Sequence, residues 1–443
     1  MENNPIRTMV TKRQLGIHCG VPSFCSADKI VIESVLEQAQ RFDDFAVIEA
    51  TSNQVNQFGG YKDMTSQDFK EYVYRIADKI GFDREKVILG GDHLGPLPWA
   101  DRPAAEAMEN ARELVRQCVL AGYRKIHLDT SMMLGDDDTS VRLSDDVIAE
   151  RGAVLYKAAE EAFEEIKKDA SDAPHPVFVI GSEVPIPGGS QEEEDSVTVT
   201  DPDAFENTLL AYKKKFSEMG LADAWDHIIA VVVQPGVEFG DEGIHKYNRE
   251  DARKLCHRLL EYPDIVFEGH STDYQPPKLL REMVEDGVAI LKVGPALTYA
   301  LREALYALSM IEKELIPERD RADFIETVEY EMLKEPKDWI KHYHGDDYQQ
   351  KIKRKYSFSD RSRYYTSLPG VANAVRKLFS NLDSVDIPLG MLHQYMPLQY
   401  PKVRDGMLAL KARELAKDNV KILVEDYNYA VKVNYMINGL FNG

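Results

Sequence analysis

HIIAVVVQPG, residues 227–236, is apolar at every position from Ile228 to Val233 and then passes at once to a glutamine, a proline and a glycine. A strand with one wet face alternates apolar and polar residues. An unbroken apolar run of this length, closed by a turn, describes a strand covered on both faces, as in a parallel sheet under helices. The same unit repeats in both directions along the chain. Apolar runs predict strands at 15–20, 45–50, 87–91, 125–129, 177–181, 227–233, 265–268 and 289–293. Helical periodicity separates them at 30–41, 66–80, 104–121, 149–168, 203–219, 249–261 and 277–285, with 301–315 after the last. Strict alternation implies parallel strands joined by right-handed crossovers. Eight units in roughly 300 residues fit a closed (β/α)8 TIM barrel better than an open doubly wound sheet. The rhythm fades from about residue 320, so the chain is read as a barrel over 1–318 and a mainly helical C-terminal extension over 319–443.

The 54 Lys and Arg against 75 Asp and Glu give a formal charge of −21. Such a chain repels nucleic acid and anionic membranes, so positive charge for an anionic ligand has to be local. The four cysteines, Cys19, Cys25, Cys118 and Cys256, show no C-x-x-C spacing, which suits reduced thiols in the cytoplasm. The start, MENNPIRTMVTKRQLG, lacks the apolar stretch of a signal peptide, and no later run has membrane-spanning length. A cytoplasmic protein is expected.

Barrel enzymes react at the C-terminal ends of their strands, so the polar residues that follow each run are the candidates. In order they are Cys19; Glu49, Ser52 and Asn53; Asp92 and His93; Asp129; Glu183; Gln234 and Glu238; His270, Ser271 and Asp273; and Lys292. Glu49 and Asp129 suit helix caps as well as ligands, and the two histidines suit hydrogen-bonded core positions as well as a metal. Lys292 is either an inward charge balanced by a carboxylate or a ligand-binding group, and Arg302 reads as a helix-surface residue pairing locally. His93 and His270 with carboxylates or amides from other strands make a mixed N and O donor set, suited to a divalent metal such as Zn, Mn or Co. The glycine-bearing turns GGDHLGP, PIPGGS and KVGPAL let backbone approach a ligand. Barrels often bind phosphate after the seventh and eighth strands, which points to Ser271, Thr272, Lys292 and Gly294. Neither a G-x-x-x-x-G-K-[ST] loop nor a G-x-G-x-x-G fingerprint is present.

The segments IEATSNQVNQFGGY (48–61), ILGGDHLGP (88–96), KIHLDTSM (125–132), VVVQPGVEF (231–239), GHSTDYQ (269–275), ILKVGPALTYALREAL (290–305) and VDIPLGM (385–391) carry a resemblance. They resemble the Z-type subunit family of class II tagatose-bisphosphate aldolases, GatZ/KbaZ, from the first strand into the extension. The resemblance implies a barrel, a ketose-phosphate context and one of two roles. The chain is either a noncatalytic partner of a class II aldolase catalytic subunit or an epimerase acting at carbon 4 of tagatose 6-phosphate. The Asp-His pair is similar to that of the metal-bearing class II aldolases, implying Asp92 as acid/base and His93 as ligand, with His270 as a later ligand. Where those aldolases place another His-Gly, this chain has Gln234-Pro235-Gly236, leaving Glu183 or Gln234 to complete the set.

The expected reaction is metal-dependent interconversion of tagatose 6-phosphate and fructose 6-phosphate by retro-aldol and aldol steps, with Glu183 or Asp129 moving protons. Glu49, Asn53, Ser271, Thr272, Asp273, Lys292 and Gly294 are expected around the substrate. Arg361 and Arg363, from SFSDRSRYY, would hold its phosphate or else form a surface ion-pair cluster. A homo-oligomer is expected.

Overall fold

In the computed structural model, residues 4–182 and 197–432 are described. Strands β1 (Val21–Cys25), β2 (Ala46–Thr51), β3 (Val87–Leu94), β4 (Lys125–Leu128), β5 (Val177–Ile180), β6 (Ile228–Val233), β7 (Val266–Gly269) and β8 (Val288–Val293) pair in parallel. Each lies beside its neighbour in sequence and β1 pairs with both β2 and β8, closing the barrel. A short hairpin, Glu238–Phe239 with Ile244–His245, follows β6. Alternation along each strand sorts the side chains. Ile48, Leu89, Ile126, Phe178, Val231 and Leu291 face outward into the core beneath the helices. Val21, Val47, Ile88, Val179, Val232 and Ile290 pack inside the lower barrel.

The first strand corrects the reading of residues 15–20. Leu15 is 75% exposed, and that segment follows a helix, α1 (Pro5–Gln14), which drives Ile6, Met9 and Val10 into the barrel floor. Asn4 caps α1 through Ile6 N and donates to the carbonyls of Arg124 and His175, fixing the plug to the lower end of the sheet. Cys19 therefore lies beside α1, at the end opposite the expected active site. Polarity of the strands places Cys25 and Ser26 there instead.

Helices α2 (Lys29–Arg41), α3 (Ser66–Ile80), α4 (Ala104–Leu120), α5 (Asp145–Asp169), α6 (Pro202–Glu218), α7 (Arg249–Leu259), α8 (Pro277–Asp286) and α9 (Pro295–Leu315) ring the barrel. Local chemistry starts them: Asp28 caps α2, Thr65 and Asp68 form a capping box on α3, and Asp201 precedes the proline that opens α6. Among the described residues, no helix is long and apolar enough to cross a membrane.

The described part of the extension runs from α10 (Phe324–Lys334) through α11 (Asp347–Tyr356), α12 (Pro369–Asp383), α13 (Leu389–Tyr395) and α14 (Tyr400–Arg404) to α15 (Ala412–Val431), which returns to lie on α2, α8 and α9. Val431 O accepts from Gly20 N at 3.0 Å, and Tyr427 Oη donates to Thr272 O at 2.9 Å, so α15 is tied to both ends of the barrel. Between these helices, residues 357–366 cross the barrel mouth. Asp360 there pairs with Arg302 at 2.9 Å, and Phe358 O accepts from Tyr274 Oη at 2.5 Å. Arg302 is thus a buried residue of α9 whose partner lies 58 positions away, not an exposed one pairing within its helix. Breaking a buried ion pair strands the remaining charge, at about 3–5 kcal/mol. Arg302→Met and Asp360→Asn should each lower the unfolding free energy measured by urea titration by that order, and the double variant should lose clearly less than their sum. Strict additivity would mean the pair does not couple.

Candidate active site

A fault in register creates the site. β2 and β3 pair regularly as far as Thr51 opposite Asp92, whereas β3 against β4 jumps from Gly91 opposite Ile126 to Leu94 opposite Leu128. Asp92 and His93 lie in the jump, and His93 takes a left-handed conformation at φ 47°. In a regular strand they would point to opposite faces; the bulge lets both contribute at the barrel end. His127 Nδ1, on β4, lies 3.1 Å from the His93 amide nitrogen, against the bulge. Gly90 gives Glu49 its path inward, since a Cβ there would stand 2.5 Å from Glu49 Oε1.

Below the mouth runs a continuous buried network. Lys125, 0% exposed, lies 2.8 Å from Glu49 Oε1 and 2.7 Å from Glu268 Oε2. Lys292 pairs with Glu49 and stands 3.0 Å from Asp92 Oδ2. Asp92 Oδ1 is 3.1 Å from His127 Nδ1, Glu268 Oε1 is 2.9 Å from His270 Nε2, and Asp129 Oδ2 is 2.7 Å from His93 Nδ1. Burial opposes ionisation of these acids, but their partners prevail. His93, His127 and His270 hold Asp92 far below the usual carboxylate range. Lys125 and His270 hold Glu268 at about 2, and His93 holds Asp129 at about 2. Burial pulls His270 below its ordinary value, whereas Asp92 and Asp129 raise His93 against its burial.

Asp92, His93, His127 and His270 each offer one ligand atom, and these atoms lie within 4.8 Å of one another. The three imidazole rings stand 4.9 to 5.1 Å apart and steeply inclined to each other, as when side chains converge on a point. His127 Nε2 is buried without a hydrogen-bond partner. Glu268 behind His270 and Asp129 behind His93 stand where outer carboxylates orient imidazoles in metal sites. Four buried carboxylates, Glu49, Asp92, Asp129 and Glu268, face two ammonium groups, Lys125 and Lys292, leaving two negative charges over. Donor types, orphaned nitrogen and charge excess all fit a divalent cation.

A cavity of about 290 Å³ opens above this cluster. Asp92, His93, His270 and Lys292 line its depth; Asn53, Tyr61 and Lys62 come from the loop after β2; and Arg363, Tyr364 and Thr366 come from the extension. Of the other residues expected around the substrate, Ser271, Asp273 and Gly294 line it too.

Several expectations are relocated. Glu49 is sealed inside the barrel, serving Lys125 and Lys292 rather than a substrate or a helix cap. Asp129 spends one oxygen on His93 and the other on Ser131. Gln234 turns Oε1 onto the amides of Gly236 and Val237, and His127 rather than Gln234 stands in the cluster of donor atoms. Thr272 is fully buried between Lys292 O and Tyr427 Oη. Arg361 points to Asp338 O and does not line the cavity. Lys292, committed to Glu49 and Asp92, is not an uncommitted phosphate ligand. Glu183 lies outside the described residues. The sequence reading passed over Lys125, His127 and Glu268, although period two marks them. Lys125 and His127 share one face of β4, and Glu268 stands two residues before His270.

The chain matches, over residues 6–432, the family described as D-tagatose-1,6-bisphosphate aldolase subunit GatZ/KbaZ-like. D-tagatose-1,6-bisphosphate aldolase subunit GatZ from Escherichia coli O1:K1 is 44% identical over 424 residues, covering 96% of this chain and 99% of the relative; its counterpart from Escherichia coli O45:K1 matches equally. A crystal structure from Sinorhizobium meliloti 1021, described as a probable tagatose 6 phosphate kinase, superposes with a TM-score of 0.84 at 44% identity, covering 93% of this chain and 100% of that one. A family match over almost the whole chain, with relatives this similar, shows that the chain belongs to the GatZ/KbaZ-like family of D-tagatose-1,6-bisphosphate aldolase subunits.

Proposed function

We propose that this protein is a metal-dependent ketose-phosphate 4-epimerase interconverting tagatose 6-phosphate and fructose 6-phosphate. The observation that carries the reading is the convergence of Asp92, His93, His127 and His270, backed by Glu268, Asp129 and Lys292, at the base of one cavity. Carbon 4 of a 2-ketose is not adjacent to the carbonyl, so removal of its hydrogen gives no stabilised anion. Cleaving and re-forming the bond between carbons 3 and 4 inverts that centre without an external oxidant.

His93, His127 and His270 would hold a divalent cation, which would supply Lewis-acid stabilisation for negative charge on the ketose oxygens. Asp92 takes the proton of the carbon-4 hydroxyl as that oxygen becomes a carbonyl. The electron pair of the broken bond passes to carbon 3 and into the carbon-2 carbonyl. The aldehyde fragment presents its other face, the bond re-forms, and Asp92 returns the proton. Lys292, 3.0 Å from Asp92, keeps the carboxylate ionised and oriented between these steps. Asp129 and Glu268 act through His93 and His270 by fixing their rings. The curated relatives are named as aldolase subunits, which favours a second reading, a supporting partner of a class II aldolase catalytic subunit.

The purified chain should convert fructose 6-phosphate to tagatose 6-phosphate, followed by carbon NMR, only with divalent metal present. Turnover that appears solely on addition of an aldolase subunit would establish the supporting role instead. Asp92→Asn should cut turnover about 10²–10⁴-fold with the fold intact, and a wild-type rate would eliminate Asp92 as the base. Asp129→Asn should weaken metal affinity about 10–100-fold in a chelator-competition titration, whereas unchanged affinity would separate Asp129 from the metal site.

A further inference from the structure

Resting on the sugar-phosphate reading, we propose that the cavity holds a single phosphate group between Lys62 and Arg363, and that Asp273 excludes a second, so that the site takes a ketose monophosphate and refuses a bisphosphate. The observations concern charge balance inside the cavity. Almost every cation near the site is matched: Lys125 and Lys292 by carboxylates, Arg302 by Asp360. Lys62 and Arg363 line the cavity, half-buried, and neither forms an ion pair with a carboxylate among the described residues. Arg363 donates to the carbonyls of Ser359 and Asp360 and to Tyr364 Oη, while its charge lies 4.6 Å over the Tyr364 ring. The Lys62 ammonium lies 5.6 Å over the Tyr61 ring. Burial pulls Lys62 below its ordinary value, Asp28 raises it in part, and Arg363 pushes it down again, a repulsion that a dianion would relieve.

The two cations are held toward each other by built structure. Tyr61 and Tyr364 meet edge to face, centroids 4.8 Å apart, joining the β2 loop to the extension. Tyr61 N and Lys62 N donate to the carbonyls of Asn53 and Gln54, folding the turn back on itself. Gly60, at φ 58°, allows that approach, because a Cβ there would strike the Gln54 carbonyl. Asp28, also at the cavity wall, commits Oδ1 to the amides of Ile30 and Val31 and caps α2.

The place where barrels commonly bind phosphate, the start of the helix after the eighth strand, is already filled. Asp273 Oδ1 accepts from Gly294 N at 3.0 Å and Ala296 N at 2.8 Å. An incoming phosphate would find those amides satisfied and a carboxylate in its way. Lys62 and Arg363 thus offer a dianion positive charge that no carboxylate pairs, whereas Asp273 meets an anion at the start of α9 with like charge.

Calorimetric titration of the full chain with fructose, fructose 6-phosphate and fructose 1,6-bisphosphate, at fixed pH and divalent metal, tests this without relying on turnover. Fructose 6-phosphate should bind at least tenfold more tightly than either other ligand. Lys62→Gln and Arg363→Gln should each weaken fructose 6-phosphate at least tenfold and leave fructose unchanged, with Lys62→Arg restoring most of the loss. Asp273→Asn should improve the bisphosphate at least tenfold relative to the monophosphate. Equal wild-type affinity for both phosphates, or an unaltered preference in Lys62→Gln or Asp273→Asn, overturns the proposal. Should those variants not fold, inorganic phosphate must still compete with fructose 6-phosphate on the wild-type chain, and absence of competition overturns it equally. Tight, selective monophosphate binding without conversion would overturn the epimerase reading alone. Conversion together with equally tight bisphosphate binding would overturn this one alone.

Discussion

Lys125 is the point on which the upper barrel turns. Its ammonium has no contact with water and is held by Glu49 from one side and Glu268 from the other. A charge so placed is tolerated only with its partners in position, because desolvating an ion in a protein interior costs several kcal/mol unless it is paired. The rest follows outward. Glu49 carries the linkage through Lys292 to Asp92, and Glu268 carries it to His270, so two groups on opposite sides of the mouth are oriented by one buried cation. Gly90 gives Glu49 its passage, and the β3 bulge brings Asp92 within reach of Lys292. A register slip in β2 or β7 would turn Glu49 or Glu268 outward and leave Lys125 unpaired. The network therefore specifies strand register as well as chemistry.

The vertical order of the barrel reflects the same economy of charge. The floor is apolar and sealed by Ile6, Met9 and Val10. The middle layer is ionic but internally paired, and only at the top do excess negative charge and an orphaned imidazole nitrogen appear. Packing closes the barrel from below, and residues 357–366 of the extension narrow its mouth from above. In the low effective dielectric between them, the interactions at Asp92 and the three histidines are stronger than they would be in solution. The extension is part of this enclosure: Arg363 and Tyr364 line the cavity, and Asp360 beside them is anchored on Arg302 of α9.

Most of the barrel was legible because burial on both faces writes itself as unbroken apolar runs; β2 to β8 lie where those runs place them, to within a few residues at their ends. The first strand is misplaced because LGIHCG mimics a strand, whereas β1 follows just downstream and a helix precedes it. Asn4 followed by Pro5, with apolar residues at 6, 9 and 10, is a capped helix start. Asp92, His93, His270 and Lys292 were readable as strand-end polar residues. Lys125, His127 and Glu268 were harder, because a polar residue inside a short strand resembles a boundary until the inward period of two is counted. Arg302, Gln234 and Asp129 depended on partners that spacing does not reveal: a residue 58 positions away, a turn's own amides, and an imidazole on another strand.

Stability bears on the choice between catalyst and supporting partner. Replacing a buried ionic network with well-packed apolar residues is often neutral or stabilising by about 1–4 kcal/mol. A chain whose sole task was to brace another protein would fold as well, or better, with leucine and valine in place of Lys125, Glu268 and His127. Nor would it need a bulge that holds His93 in a left-handed conformation, itself a strain of order 1–3 kcal/mol. Both burdens fall at the one end of the barrel where a ligand can enter, while the opposite end carries an ordinary apolar plug. A structural requirement would have no reason to respect that polarity. A requirement to hold charge, orient imidazoles and move a proton would produce it.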